Sequence, residues 1–288
     1  MTTRLNIQKT YKLFIGGTFP RTESGRFYEL QNSKGELFAN LCLASRKDLR
    51  NAVVAARKAQ SGWANKTAYN RSQILYRLAE MLESRRTSFI EELILLGINK
   101  KAATTEVDEA IDRLVYYAGW ADKYTALFSS VNPTASAHFN FSVYEPTGVV
   151  GVIAPEEQGL LGFVSTVAPL ITGGNTVVVL ASEQQAPVAI SFAEVIQNSD
   201  VPGGVINILT GKLDELAPHF TSHMDINALV YARALSTDHK LSATTNIKRM
   251  LDWTGKWSAA SPYHILDAQE VKTTWHPIQT GASGGGGY

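Results

Sequence analysis

Four groups of residues in this 288-residue chain have types and spacings that suit chemistry. At 155–159 the order Pro-Glu-Glu-Gln-Gly follows the apolar run Val149 to Ile153, so Glu156 and Glu157 stand where a buried strand turns into a helix. In open α/β sheets, ligands sit at such carboxyl ends of strands. Two carboxylates in different surroundings can divide acid and base roles, and Asp252, at the end of a later apolar run, offers a third. An acid–base enzyme built on Glu156, Glu157 and Asp252 is therefore one reading, although sequence does not place the three relative to each other. The plainer reading is that the two acids sit favourably near the N-terminus of a helix opening at Gly159. His219 and His223 are four apart on an expected helix, a spacing that can hold a metal. No third ligand stands at a supporting spacing, so surface histidines and no metal are expected. The one thiol, Cys42, lies in an extended N-terminal stretch, where a buried structural cysteine is expected.

The elements that would position these groups follow from patterning. Residues 12–43 read as short extended pieces, "KLFIGGTF", "RFYEL" and "ELFANLCLA", separated by turn residues. Ser45 and Asp48 form a capping pair that opens a helix over 45–63. A second helical stretch, 70–97, places Ile74, Leu75, Leu78, Met81 and Leu82 on one face; a third, 107–124, does so with Ile111, Leu114, Val115 and Ala118. "SAHFNFSVYEP" alternates as a half-exposed strand does. From Val149 onward the apolar runs "VVGVIA", "TVVVL", "VINIL", "INALVYA" and "IKRMLDW" alternate with helical segments. Near-continuous Val, Ile and Leu runs imply parallel strands covered on both faces. The fold class is thus α/β, a doubly wound, Rossmann-like parallel sheet of about five strands. Residues 258–278 lose periodicity and read as an irregular segment, and 279–288 as a flexible Gly-rich tail. A net charge of +1 gives no nucleic-acid or membrane signal. A single cysteine, no signal-type N-terminus and no run of membrane-span length fit a cytoplasmic protein.

Several stretches, in order, resemble the aldehyde dehydrogenase superfamily: "YKLFIGGTF", "NAVVAARKAQSGWANKTAYNRSQILYRLAEMLESR", "YEPTGVVGVIAP", "APLITGGNTVVVLASE" and "DVPGGVINILTG". The resemblance covers the chain to about residue 257. With "NIKRM" and "EVKTTWHPI" included, it is most similar to the cysteine-less, truncated second half of the two-part aldehyde dehydrogenases of family sixteen. It implies a cofactor-type domain over 1–257 and a β-hairpin oligomerisation flap at about 12–20 and 137–146. It also implies that the catalytic domain bearing the nucleophilic cysteine is absent, since the chain stops where that domain would begin.

The resemblance assigns roles and shows departures from them. Family members end the first strand of the cofactor domain in Pro-Trp-Asn-Phe-Pro, whose Asn amide helps stabilise an oxyanion; here Glu157 takes the Asn position, and a carboxylate would repel that charge. The family's Lys-Pro-Ser-Glu, which holds the adenosine ribose, reads Leu180-Ala181-Ser182-Glu183, so Ser182 and Glu183 are the retained cofactor-binding candidates, with Gly211 matching the glycine beside the adenine. Phe-Thr-Gly-Ser becomes Tyr231-Ala232-Arg233-Ala234, placing a long side chain where a glycine admits the dinucleotide. Asp252 stands at the general-base glutamate. Glu157 and Asp252 are thus degenerate catalytic positions, no functioning catalytic set is expected, and no cofactor is expected. The reading that follows is a non-catalytic subunit or scaffold, inactive on its own, that assembles with an active aldehyde dehydrogenase or with itself. The alternative is a nucleotide-binding or sensor module keeping part of an NAD or NADP crevice, with Arg233 meeting a phosphate.

Overall fold

The computed structural model describes residues 9–32 and 34–278. The chain runs β1 (Thr10–Tyr11), β2 (Phe27–Gln31), β3 (Leu37–Cys42), α1 (Arg46–Ala64), α2 (Ala68–Ser84), α3 (Arg86–Leu95), α4 (Lys100–Trp120), α5 (Tyr124–Phe128), β4 (Ser130–Asn132) and β5 (His138–Pro146). It continues through β6 (Val149–Ile153), α6 (Gly159–Thr172), β7 (Thr176–Leu180), α7 (Ala186–Gln197), β8 (Ile206–Leu209), α8 (Leu213–Ser222), β9 (Ala228–Tyr231), α9 (Thr237–Ser242), β10 (Arg249–Asp252), α10 (Tyr263–Asp267) and β11 (Gln269–Pro277). Among the described residues no helix is long and apolar enough to cross a membrane.

The five expected strands form one parallel sheet in the order β10-β9-β6-β7-β8. Alternation within the buried strands divides the core in two. Val149, Ile153, Val178 and Leu180 meet Leu49, Val53 and Phe220 from α1 and α8, while Val150, Val152, Val177 and Val179 share a cluster with Phe163 and Phe192 from α6 and α7. Each such side chain contributes roughly 1.5–3 kcal/mol by leaving water, which explains why both faces of these strands read as apolar. From β6 the chain lays β7 and β8 to one side, then returns to place β9 and β10 on the other. The order reverses between β6 and β9, so their carboxyl ends bound the crevice where such sheets bind ligands.

Ser45 and Asp48 do form a reciprocal capping box on α1. The stretch 70–97 is two helices meeting at Arg85, where no Gly or Pro marks the break; Arg85 there reaches Glu194 on α7 at 3.1 Å. Val115, expected on the buried face of α4, is 40% exposed, because that face centres on Ala103, Val107, Ala110, Leu114 and Tyr117.

Two boundaries differ from expectation. Residues 258–278 are not irregular: they contain α10 and the nine-residue β11, which pairs antiparallel along all of β5. Most of β11 is exposed, so its ladder rather than burial holds it, and no hydrophobic alternation announces it. Residues 12–20 do not join the flap. Phe14 exchanges backbone hydrogen bonds with Ile208 of β8 (3.0 and 2.7 Å), and the turn at Gly16 and Gly17, both at positive φ, folds the segment over that sheet edge. The flap sheet is β11-β5-β4, so β5 has partners of its own chain on both sides, and among the described residues the open edges are those of β4 and β11. The Gly-rich stretch 279–288 lies outside the described residues.

Candidate functional site

The loops after β6, β7 and β9 converge on the switch point, and they close it with their own side chains. Glu156 turns inward. Its Oε1 accepts from the Gln184 N–H (2.9 Å) and lies 3.1 Å from the Ser182 hydroxyl, while Oε2 accepts from the Glu183 N–H (3.1 Å) and from Arg233 Nη1 (2.7 Å). Ser182 also reaches the Glu156 backbone carbonyl (2.9 Å). Because Glu156 follows β6 and Arg233 follows β9, this ion pair spans the crevice itself. Arg233 is held further by the Ala181 carbonyl (3.2 Å), and its side chain is only 11% exposed. Burial pulls its pKa down, and Glu156 and Glu183 push it back.

Glu183 faces the other way. One oxygen accepts from the Leu213 N–H at the start of α8 (2.8 Å), the other pairs with Lys212 (2.9 Å), and Arg233 lies 3.7 Å off. Tyr28 donates to the Glu183 carbonyl (3.2 Å) beneath Lys212, and burial, then Glu183 and Glu156, raise its phenol pKa.

The N-terminus of α6, a natural anion site, is also filled, but not by the two acids. Gly159 N–H donates to Gln185 Oε1 (2.6 Å), and Leu160 and Leu161 N–H donate to Glu106 Oε1 (2.9 and 3.4 Å). Glu106 projects from α4 and is buried; burial raises its pKa, and the two N–H groups oppose the rise. Gly162 lets this helix settle on the loop, since a Cβ there would lie 2.3 Å from Pro155 Cγ. Glu157 is exposed and makes no side-chain hydrogen bond or ion pair among the described residues. Neither acid therefore caps α6.

The other sequence candidates fall as follows. Asp252 is exposed at the end of β10 and accepts from the Thr254 N–H (3.0 Å); burial raises its pKa, but hydrogen bonds from Thr254 and Tyr231 outweigh that and lower it. No hydrogen bond joins it to Glu156 or Glu157 among the described residues. Gly211 is buried, and a Cβ there would lie 3.0 Å from Leu216 Cδ1 and 3.4 Å from Ala44 N, which gives it a packing reason to be glycine. Cys42 is buried in β3. The described residues contain no group of three or more His, Cys, Asp or Glu able to hold a metal. Glu106, Gln185, Tyr28 and Lys212 were not among the sequence candidates. Only Glu106 carries a signal, an acid inside the apolar stripe Ala103, Val107, Ala110.

The dinucleotide implied by the sequence resemblance does not fit this arrangement. The N–H groups of residues 159–161, 183 and 184 at the switch point already have internal acceptors, two of them carboxylates, and the Arg233 side chain lies across the crevice, so a dinucleotide there would have to displace them.

Comparison with known proteins bears on what this crevice descends from. Residues 19–287 match the model of the aldehyde dehydrogenase family. The chain is 33% identical over 275 residues to a Bacillus subtilis aldehyde dehydrogenase homologue, DhaS, covering 92% of this chain and 54% of that one. It is 30% identical to the mouse cytosolic 10-formyltetrahydrofolate dehydrogenase, covering 86% of this chain and 28% of that protein. The NAD+ complex of a Bacillus cereus aldehyde dehydrogenase superposes with a TM-score of 0.80 at 25% identity, over 85% of this chain and 50% of the other. The chain spans about half the length, or less, of the curated relatives it matches. With the family model covering nearly all of it and the same α/β architecture, the chain belongs to the aldehyde dehydrogenase family.

Proposed function

We propose that this chain is a non-catalytic aldehyde-dehydrogenase-like subunit or scaffold of the cytoplasm. It assembles with an active aldehyde dehydrogenase or with a second copy of itself, and it is kin to the truncated halves of family sixteen. The observation that carries this reading is the Glu156–Arg233 pair across the switch point, which fills the family's cofactor crevice from within. The flap supports the assembly half of the reading. One face of its sheet carries Val131, Phe139, Phe141 and Val143 around a shallow groove, with Val131 69% and Phe139 44% exposed; exposed apolar patches of this kind mark interaction surfaces. The test is the native mass of the assembly purified from its own cells. A complex containing a full-length aldehyde dehydrogenase, or a defined homo-oligomer, is expected, and a monomer at micromolar concentration would overturn the reading.

One feature favours the alternative, a nucleotide sensor. Arg233 Nε is buried without a partner, and an anion displacing Glu156 would meet it. On that reading the wild type binds NADP and Glu156→Ala binds it more tightly; silence from both proteins would remove it.

A further inference from the structure

The crevice does not account for Arg71, whose side chain rises from α2 into the protein and is only 7% exposed. Its Nε donates to the Thr172 carbonyl (3.0 Å), and Nη1 donates to the carbonyls of Ala64 (3.3 Å) and Lys66 (2.5 Å). Ala64 and Thr172 are the last residues of α1 and α6, so the negative ends of two helix dipoles offset part of the buried charge. No carboxylate pairs with Arg71 among the described residues, although buried guanidinium groups are ordinarily paired. Burial accordingly pulls its pKa down. The three carbonyls take the N–H groups of Nε and Nη1, which leaves Nη2 as the remaining donor, with Tyr124 beside the group.

Beside this group opens a cleft of about 550 Å³, lined by Arg71 together with Ser61, Asn65, Lys66, Tyr124, Thr125 and Tyr144. Lys66 makes no ion pair among the described residues. The one acid on the lining, Glu145, is tied to Lys272 at 3.1 Å. The cleft therefore has two cations without acidic partners, one pre-oriented at the wall, and several hydroxyls and amides around them. Its volume is in the range of metabolite sites.

We propose that this cleft binds a phosphate monoester. One phosphoryl oxygen takes Nη2 of Arg71, another takes the Tyr124 hydroxyl, and Lys66 closes on them from the rim. Two cations match the charge of about −1.5 to −2 on a monoester at neutral pH, and the fixed Nη2 of Arg71 offers a charge-assisted donor to one phosphoryl oxygen. The site is separate from the crevice and does not depend on the assembly reading.

The experiment is calorimetric titration of the whole protein with inorganic phosphate and with glycerol 3-phosphate, against chloride at equal ionic strength. Saturable binding is expected, tighter for the monoester, with a Kd of about 1 mM or below. Lys66→Ala should weaken it about tenfold through loss of one charge-assisted contact, Tyr124→Phe by a smaller factor, and Glu145→Gln should strengthen it. Arg71 uses only the backbone carbonyl of Lys66, which Lys66→Ala retains, and the Tyr124 and Glu145 changes remove or neutralise a single polar group, so the variants keep the fold, checked by circular dichroism. Binding unchanged in both Lys66→Ala and Glu145→Gln, or no saturable heat from either phosphate at about 10 mM, would overturn the proposal.

Discussion

At the crevice, the N–H groups of residues 159–161, 183 and 184 have acceptors from within the chain: Gln185, Glu106 and Glu156. On the flap, Val131 and Phe139 are exposed, and among the described residues the edges of β4 and β11 carry no further strand. A donor already satisfied gains little from a ligand, which must first displace the resident acceptor. An exposed apolar face gains from anything that covers it. The two regions thus differ in what a partner could contribute, and the difference points binding away from the crevice and toward the flap.

The contrast breaks most sharply at Arg233. Arg233→Ala leaves Glu156 in its loop without a counter-charge. Because Glu156 is a third exposed, the expected cost is about 2 kcal/mol, below the range for fully buried pairs, and urea unfolding reads it. Unfolding stability equal to wild type would mean the pair does not hold the crevice shut. A similar or slightly smaller loss, about 1–2 kcal/mol, is expected for Glu106→Ala, which strands the Leu160 N–H.

Glu106 also sharpens the comparison through pH. Burial raises its folded pKa above the ordinary 4.5, so the folded state binds its proton more tightly than the unfolded state does. That contribution to stability is fully present below pH 4.5 and is lost as pH rises through the raised pKa. Glu106→Gln should flatten that part of the stability–pH curve, leaving the share of Glu92, which burial also raises. An unchanged slope would contradict the assignment. At the flap the expectation reverses. Val131→Ser with Phe139→Ser should move stability by no more than about 0.5 kcal/mol, as exposed substitutions do, yet lower the native mass. An intact assembly in that variant would place the interface elsewhere.

The sheet was legible because β6 to β9 are buried on both faces, and burial writes itself as Val, Ile and Leu. β11 was not legible, since a ladder of backbone hydrogen bonds leaves no mark on exposed side chains such as Lys272 and Thr273. Segment 12–20 was placed in the flap by the resemblance, and its extended pattern does not name a strand's neighbour; the pairing of Phe14 with Ile208 does. At the site, sequence located Glu156 and Arg233 but not their meeting, 77 positions apart. Glu106 lies 54 positions from the N–H it serves, and only the packing of α4 on α6 brings them together.

The most direct test of the self-filled crevice is calorimetric titration of NAD and NADP into the wild-type protein. No saturable binding at about 1 mM of either is predicted. Saturable binding at micromolar concentration would show that Glu156 and Arg233 part readily for a dinucleotide, and would contradict the account.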